Sequence, residues 1–278
     1  MTTESPPIVR LDLESRPQTL TIVRGMLGGV AELLTIDPEL LDDLKTAISE
    51  ACNNVVLHAY GGDPGPMGVR LFVEEDRLRV TVEDQGVGTP ATAADRTDGI
   101  GLSVIRALAD EVSLLPGPQG GTRMQMDFAA QRAGRRLFER PGVAGPDEGW
   151  AREGDDEIVV SLSPVTLLTG VLGRLARNLA ATAHFSLDRF SDVYLVTDIL
   201  AAHAATAAAG LRIDARLAAA ERCLELAVGP FRSGTGARLQ SPGADGAPSP
   251  LVLLSDELSV RPDGDDELLH VVVIDHRR

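Results

Sequence analysis

The spacing of apolar residues divides the chain into two stretches of regular structure. Residues 8–13 predict an opening strand, and helical periodicity follows over residues 17–34 and again over residues 40–60. Residues 69–83 read as a hairpin whose second arm, residues 77–83, is strand-like, and residues 102–109 return to a helical pattern. Residues 129–156 lose sustained periodicity. They mix arginine-rich and acidic runs with Pro141-Gly142, Gly145-Pro146 and Glu148-Gly149, which predicts a linker. The single tryptophan, Trp150, falls there, and a tryptophan in a linker implies a segment that docks on a neighbour.

The second stretch repeats the first in outline. Residues 158–162 parallel the opening strand, 165–183 the first helix, 189–208 the second, and 211–218 with 222–228 the hairpin, at an offset near 145 to 150 residues. A proline- and glycine-rich insert, residues 241–250, separates two last strand-like runs at 251–254 and 268–274.

Three short segments of the first stretch hold polar residues that the pattern does not require. Glu50 and Asn54 lie four residues apart in a helical run and so share a face. Asparagine is a poor helix former, and the adjoining Asn53 and Asn54 need partners if buried. Asp84 ends a strand-like run and precedes Gly86 and Gly88, which suits an acid presented at a strand end and a loop that approaches a ligand closely; a β-turn without a ligand uses the same residue types. Gly99 and Gly101 open a helical pattern at Leu102, leaving backbone N–H groups at a positive helix N-terminus where phosphate binds, although Gly99 also fits as an ordinary helix-entry residue beside Asp98. Taken in order, the segments describe a pocket for ATP and magnesium. Magnesium prefers hard oxygen ligands, and Asn54 supplies an amide oxygen. Glu50, one turn away, is placed to take the proton of an attacking hydroxyl, whether of a protein serine or of water.

That order resembles the GHKL superfamily of histidine kinase-like ATPases. The run from Ser49 through Glu50, Cys52, Asn53 and Asn54 to His58-Ala59-Tyr60 is similar to the anti-sigma-factor serine kinases within it. The resemblance covers about residues 7–128 and implies Glu50 as general base, Asn54 as magnesium ligand and Asp84 as the acid that binds the adenine amino group. It places Gly86, Gly88, Gly99, Gly101 and Leu102 in the loops around the nucleotide, and Thr122 as a support of adenine through water. The fold it implies is α+β, a two-layer α/β sandwich with a mixed, mostly antiparallel sheet covered on one face by helices, in two tandem copies. The boundaries would be an ATPase domain at 7–128, a linker at 129–156 and a degenerate ATPase-like domain at 157–278.

The resemblance further implies an ATP-dependent protein serine/threonine kinase that serves as an anti-sigma factor, phosphorylates an antagonist protein of the anti-anti-sigma type and holds a sigma factor. The ten residues between Gly88 and Gly99 make a short flap, as in that branch, and no histidine precedes His58, which argues against a two-component histidine kinase. The competing expectation is a noncatalytic module that binds nucleotide and grips a protein partner. In the second copy Glu50 corresponds to Asp198, Asn54 to Ala202 and Asp84 to about Gly229, so metal ligand and adenine reader are both missing; Gly234-Thr235-Gly236 reads as a turn. The family commonly pairs two such domains between chains, which leaves open a dimer or an internal pair.

Composition narrows the classes. At 278 residues and 44% hydrophobic content the chain can pack one large or two ordinary cores. Its net charge of −15 repels nucleic acid and anionic membrane and suits a basic protein partner. Cys52 and Cys223 are too few for a disulfide framework, and Cys52 reads as a small buried hydrophobe. His58 reads as structural, with no second ligand at metal spacing. The start of the chain has no basic-then-apolar leader, and no apolar run reaches about 18 residues, so a cytoplasmic protein is expected.

Overall fold

The computed structural model of the chain describes residues 6–74, 76–87, 100–129, 150–154, 156–242 and 246–276. Strand β1 (Val9–Glu14) alternates as its sequence does: Val9, Leu11 and Leu13 are buried, while Arg10 and Asp12 pair at 2.7 Å on the other face. Helix α1 (Thr19–Leu34) follows, then α2 (Pro38–His58). Asp37 caps α2 by accepting the Glu39 N–H at 2.9 Å, and Pro38 takes the first turn, where its missing donor is harmless. This helix buries Leu40, Leu44, Ala47, Ile48, Ala51, Cys52 and Val55, the three-and-four spacing of one face. Strands β2 (Pro66–Val73) and β3 (Arg77–Asp84), helix α3 (Ile100–Leu108), and strands β4 (Glu111–Pro116) and β5 (Thr122–Ala129) complete the first half.

The second half runs β6 (Glu157–Leu162), α4 (Leu167–Thr182), α5 (Leu187–Ala207), β7 (Ile213–Ala220), β8 (Cys223–Phe231), α6 (Thr235–Gln240), α7 (Pro250–Leu254), β9 (Glu257–Asp263) and β10 (Asp266–Ile274). All ten strands belong to one sheet, in the order β4-β5-β3-β2-β1-β6-β7-β8-β10-β9, and every ladder between them is antiparallel. Read outward from the middle, the halves have the same strand order. At the seam β1 pairs with β6, Val9 opposite Leu162 and Leu11 opposite Val160. Above the seam α1 crosses α4 so closely that a Cβ on Gly29 would lie 2.2 Å from the Gly170 carbonyl oxygen. One continuous cluster of buried apolar side chains, from Ile8 to Val273, lies between the sheet and its helices.

The opposite face of the sheet is polar. Arg79 donates to the Asp127 carboxylate at 2.8 and 3.1 Å, Arg123 pairs with Glu83 at 2.7 Å, and Arg70 with Asp12 at 2.8 Å. Trp150 docks on this face: the Arg216 guanidinium sits 5.5 Å from its ring centroid, and a Cβ on Gly229 would lie 3.4 Å from the ring. From there Arg152 reaches Glu14 at 3.5 Å and Asp156 pairs with Arg16 at 2.6 Å. Most of the span expected as a linker lies outside the described residues.

Three expectations about the second half are corrected. Residues 251–254 form helix α7 rather than a strand, because Ser249 accepts the Val252 N–H as N-cap and Pro250 takes the first helical position. Gly234, with φ of 84°, opens helix α6 rather than a free turn. The burial of α5 repeats that of α2 at an offset of 149 (Pro38 to Leu187), with Leu44, Ile48 and Ala51 matched by Val193, Thr197 and Leu200. Ile199 and His203 therefore stand at the stations of Glu50 and Asn54, in place of Asp198 and Ala202.

Candidate functional site

The site forms where the C-terminal half of α2 meets the end of β3, the start of α3 and the start of β5. Helix α2 is long because its propensity and one buried face agree for 21 residues. That length carries Glu50 and Asn54 past the apolar face to the helix flank. The first turn of α3 rests on them: a Cβ on Gly101 would lie 3.0 Å from Glu50 Oε2 and 3.5 Å from Asn54 Oδ1. A side chain at 101 would crowd the Glu50 carboxylate and touch Asn54.

Asp84 ends β3 with 8% of its surface exposed. Its Oδ1 accepts the Gly86 N–H at 2.9 Å and the Thr122 N–H at 3.3 Å, which fixes the carboxylate. Gly121, at φ of 70°, has no room for a Cβ, which would fall 2.2 Å from the Asp84 carbonyl oxygen. Gly86 is equally constrained, since a Cβ there would lie 2.1 Å from the Ala59 carbonyl oxygen.

A cavity of about 290 Å³ joins these groups, lined by Asn54, Asp84, Gly101, Leu102 and Thr122 together with apolar residues such as Val82 and Met124. An apolar cleft with a few convergent polar groups is the form of a small-ligand site. Glu50 stands at its border through Gly101, and Gly86 stands behind Asp84. Gly88 and Gly99 lie outside the described residues. His58, expected to be structural, lines the cavity one turn beyond Asn54. Leu114 and Met124, from β4 and β5, also went unremarked because apolar residues in strands carry no chemical signature. Beneath the site Cys52 is fully buried, and desolvation pushes its thiol up to about 12.

A model of the histidine kinase-like ATPase domain matches residues 13–128. The serine-protein kinase RsbW of Bacillus pumilus is 35% identical in an alignment of 129 residues that covers 40% of this chain and 80% of that protein. The chain belongs to this family. RsbW of Bacillus subtilis is likewise 35% identical, over 37% of this chain and 75% of its own length. The RsbW likeness and the cavity occupy the same half of the molecule, whose α+β architecture, antiparallel sheet and helical layer agree with a GHKL-type domain. Among solved structures, the RsbU and RsbW domains of a Mycobacterium tuberculosis protein align over 43% of this chain and 32% of that one at 24% identity, with a TM-score of 0.34, too low to bear on the fold. Membership of a histidine kinase-like ATPase family implies ATP binding.

Proposed function

We propose that the chain is an ATP-dependent protein serine/threonine kinase of the partner-switching kind, an anti-sigma factor that phosphorylates an antagonist protein and holds a sigma factor. The observation that carries the reading is the convergence of Glu50, Asn54 and Gly101 at one end of a cavity that Asp84 and Thr122 also line. Asp84 accepts from the adenine amino group, and the N–H groups at the start of α3 meet phosphate. The donor set fits magnesium, since Asn54 offers a neutral amide oxygen and the phosphates supply the rest. When bound, the ion supplies charge neutralisation on the phosphate oxygens. Glu50 accepts the proton of the substrate seryl hydroxyl as its oxygen bonds to the γ-phosphorus and the bond to the ADP oxygen breaks.

The same reading assigns residues 7–128 to catalysis and residues 157–278 to a repeat without turnover. In the second half no carboxylate stands at the Asp84 station, which is Gly229, and the Glu267 carboxylate accepts the Gly234 and Gly236 N–H groups at 2.6 and 2.8 Å at the start of α6. Those bonds hold the Glu267 carboxyl below its usual range.

The test is transfer of labelled γ-phosphate to small antagonist proteins of the anti-anti-sigma type. Glu50→Gln is expected to bind ATP like the parent and to lose transfer by about a hundredfold or more, whereas Asn54→Ala loses magnesium-dependent binding itself. Wild-type rates in Glu50→Gln would remove the base, and ATP binding without transfer to any antagonist would favour a noncatalytic nucleotide module.

A further inference from the structure

The tail of α2, His58-Ala59-Tyr60, lies where the helix that carries Glu50 and Asn54 gives way to the loop into β2, and nothing in the proposed chemistry uses Ala59 or Tyr60. Both grip the loop that follows Asp84. The Tyr60 hydroxyl donates to the Pro66 carbonyl oxygen at 2.5 Å and accepts the Gln85 N–H at 2.8 Å. The Ala59 carbonyl oxygen accepts the Val87 N–H at 3.2 Å, with Gly86 packed against that carbonyl too tightly for a Cβ. The ring of Tyr60 in turn covers Gly65, where a Cβ would lie 2.5 Å from the ring. Burial raises the phenol, which stays a neutral hydroxyl able to donate and accept at once.

We propose that Tyr60 is a positioning residue for base recognition, fixing the Asp84 carboxylate relative to Asn54 through the Gln85 N–H and the Pro66 carbonyl. The inference rests on the nucleotide-site reading above. Asp84 is held from one side by Gly86 and Thr122 N–H groups, but those belong to its own loop and to β5. The α2 tail ties the adenine end of the cavity directly to the helix that carries the phosphate-end residues. These hydrogen bonds fix residues 85–87 to the end of α2, so the distance between the two ends of the ligand is set before it arrives, and its binding does not meet the cost of ordering these residues. A tether of this kind favours a ligand whose base presents a donor where Asp84 waits.

The test uses Tyr60→Phe in the full chain, which keeps the ring over Gly65 and removes both hydrogen bonds. Calorimetric titration with magnesium-ATP and with inosine triphosphate, which lacks the amino group, gives the two affinities. ATP affinity is expected to fall about tenfold, the worth of one well-placed hydrogen bond, with inosine triphosphate changed little, and amide exchange at Gln85 is expected to quicken. A folded Tyr60→Phe with the parent's ATP affinity overturns the inference, as does an equal loss for both nucleotides, which marks a merely structural tyrosine. A parent chain that binds no ATP overturns the nucleotide site itself.

Discussion

Asp214 carries its carboxyl into the sheet beside the central seam, with 4% of the residue exposed, and the Ser161 hydroxyl donates to it. Burial raises this carboxyl above its ordinary value, an effect partly offset by the Ser161 hydrogen bond and by Arg212. A raised native value means that the folded state binds the proton more tightly than the unfolded chain does. The linked stability is therefore fully present below the unfolded value, near 3.9, and is lost as pH rises through the native one. Asp214→Asn, which keeps an acceptor for Ser161, is expected to remove that loss. Its thermal midpoint should equal or exceed the parent's at pH 7 and draw level with it near pH 3; a variant less stable at pH 7 than at pH 3, relative to the parent, would show that Asp214 is ionised and well compensated. At this scale the sequence exposes groups that break a pattern: Glu50, Asn54 and Asp84 are polar where apolar or turn residues would serve, and the fold brings them together. Tyr60 breaks no pattern. Its partners, Pro66 and Gln85, become neighbours only when the chain returns along β2 and β3, so its role was not legible.

Gly29 and Gly170 decide how closely α1 and α4 approach, because each backbone fills the space a side chain would need on the other. Gly29→Val puts two methyl groups where the Gly170 carbonyl lies, with no flexible neighbour to yield. It is expected to destabilise the chain by about 1–3 kcal/mol or more, read as an earlier urea midpoint, whereas the same change at Gly154, with open space around its Cβ, is expected to have little effect. Equal midpoints for the two variants would mean that the helices separate freely. Elements themselves were largely legible from period: α2, expected over residues 40–60, is found at Pro38–His58, its start extended by the Asp37 cap. Short elements were not. Strand β9 escaped notice because it is an edge strand, where Arg261 and Pro262 can interrupt the alternation without breaking a central ladder. The four apolar residues of α7 carry no period at all, so only the Ser249 cap distinguishes helix from strand.

Among the described residues the molecule is one sheet of two like-ordered halves, with β4 and β9 at its edges. The inner edges of both halves are consumed by the β1–β6 ladder and the α1–α4 crossing. That seam could not be read from sequence, since β1 has the same alternating pattern whether it ends a sheet or continues it. Among the described residues no helix is long and apolar enough to cross a membrane. The central claim is that this duplicated architecture holds one working nucleotide site, in the first half, with Asp84 reading the base. Calorimetric titration of the full chain with ATP and magnesium tests it most directly. One ATP per chain is predicted, with affinity weakened about ten- to a hundredfold by Asp84→Asn, the worth of a hydrogen bond to a charged group of about 1.5–3 kcal/mol. Two bound nucleotides per chain, or an unchanged affinity in a folded Asp84→Asn variant, would contradict it.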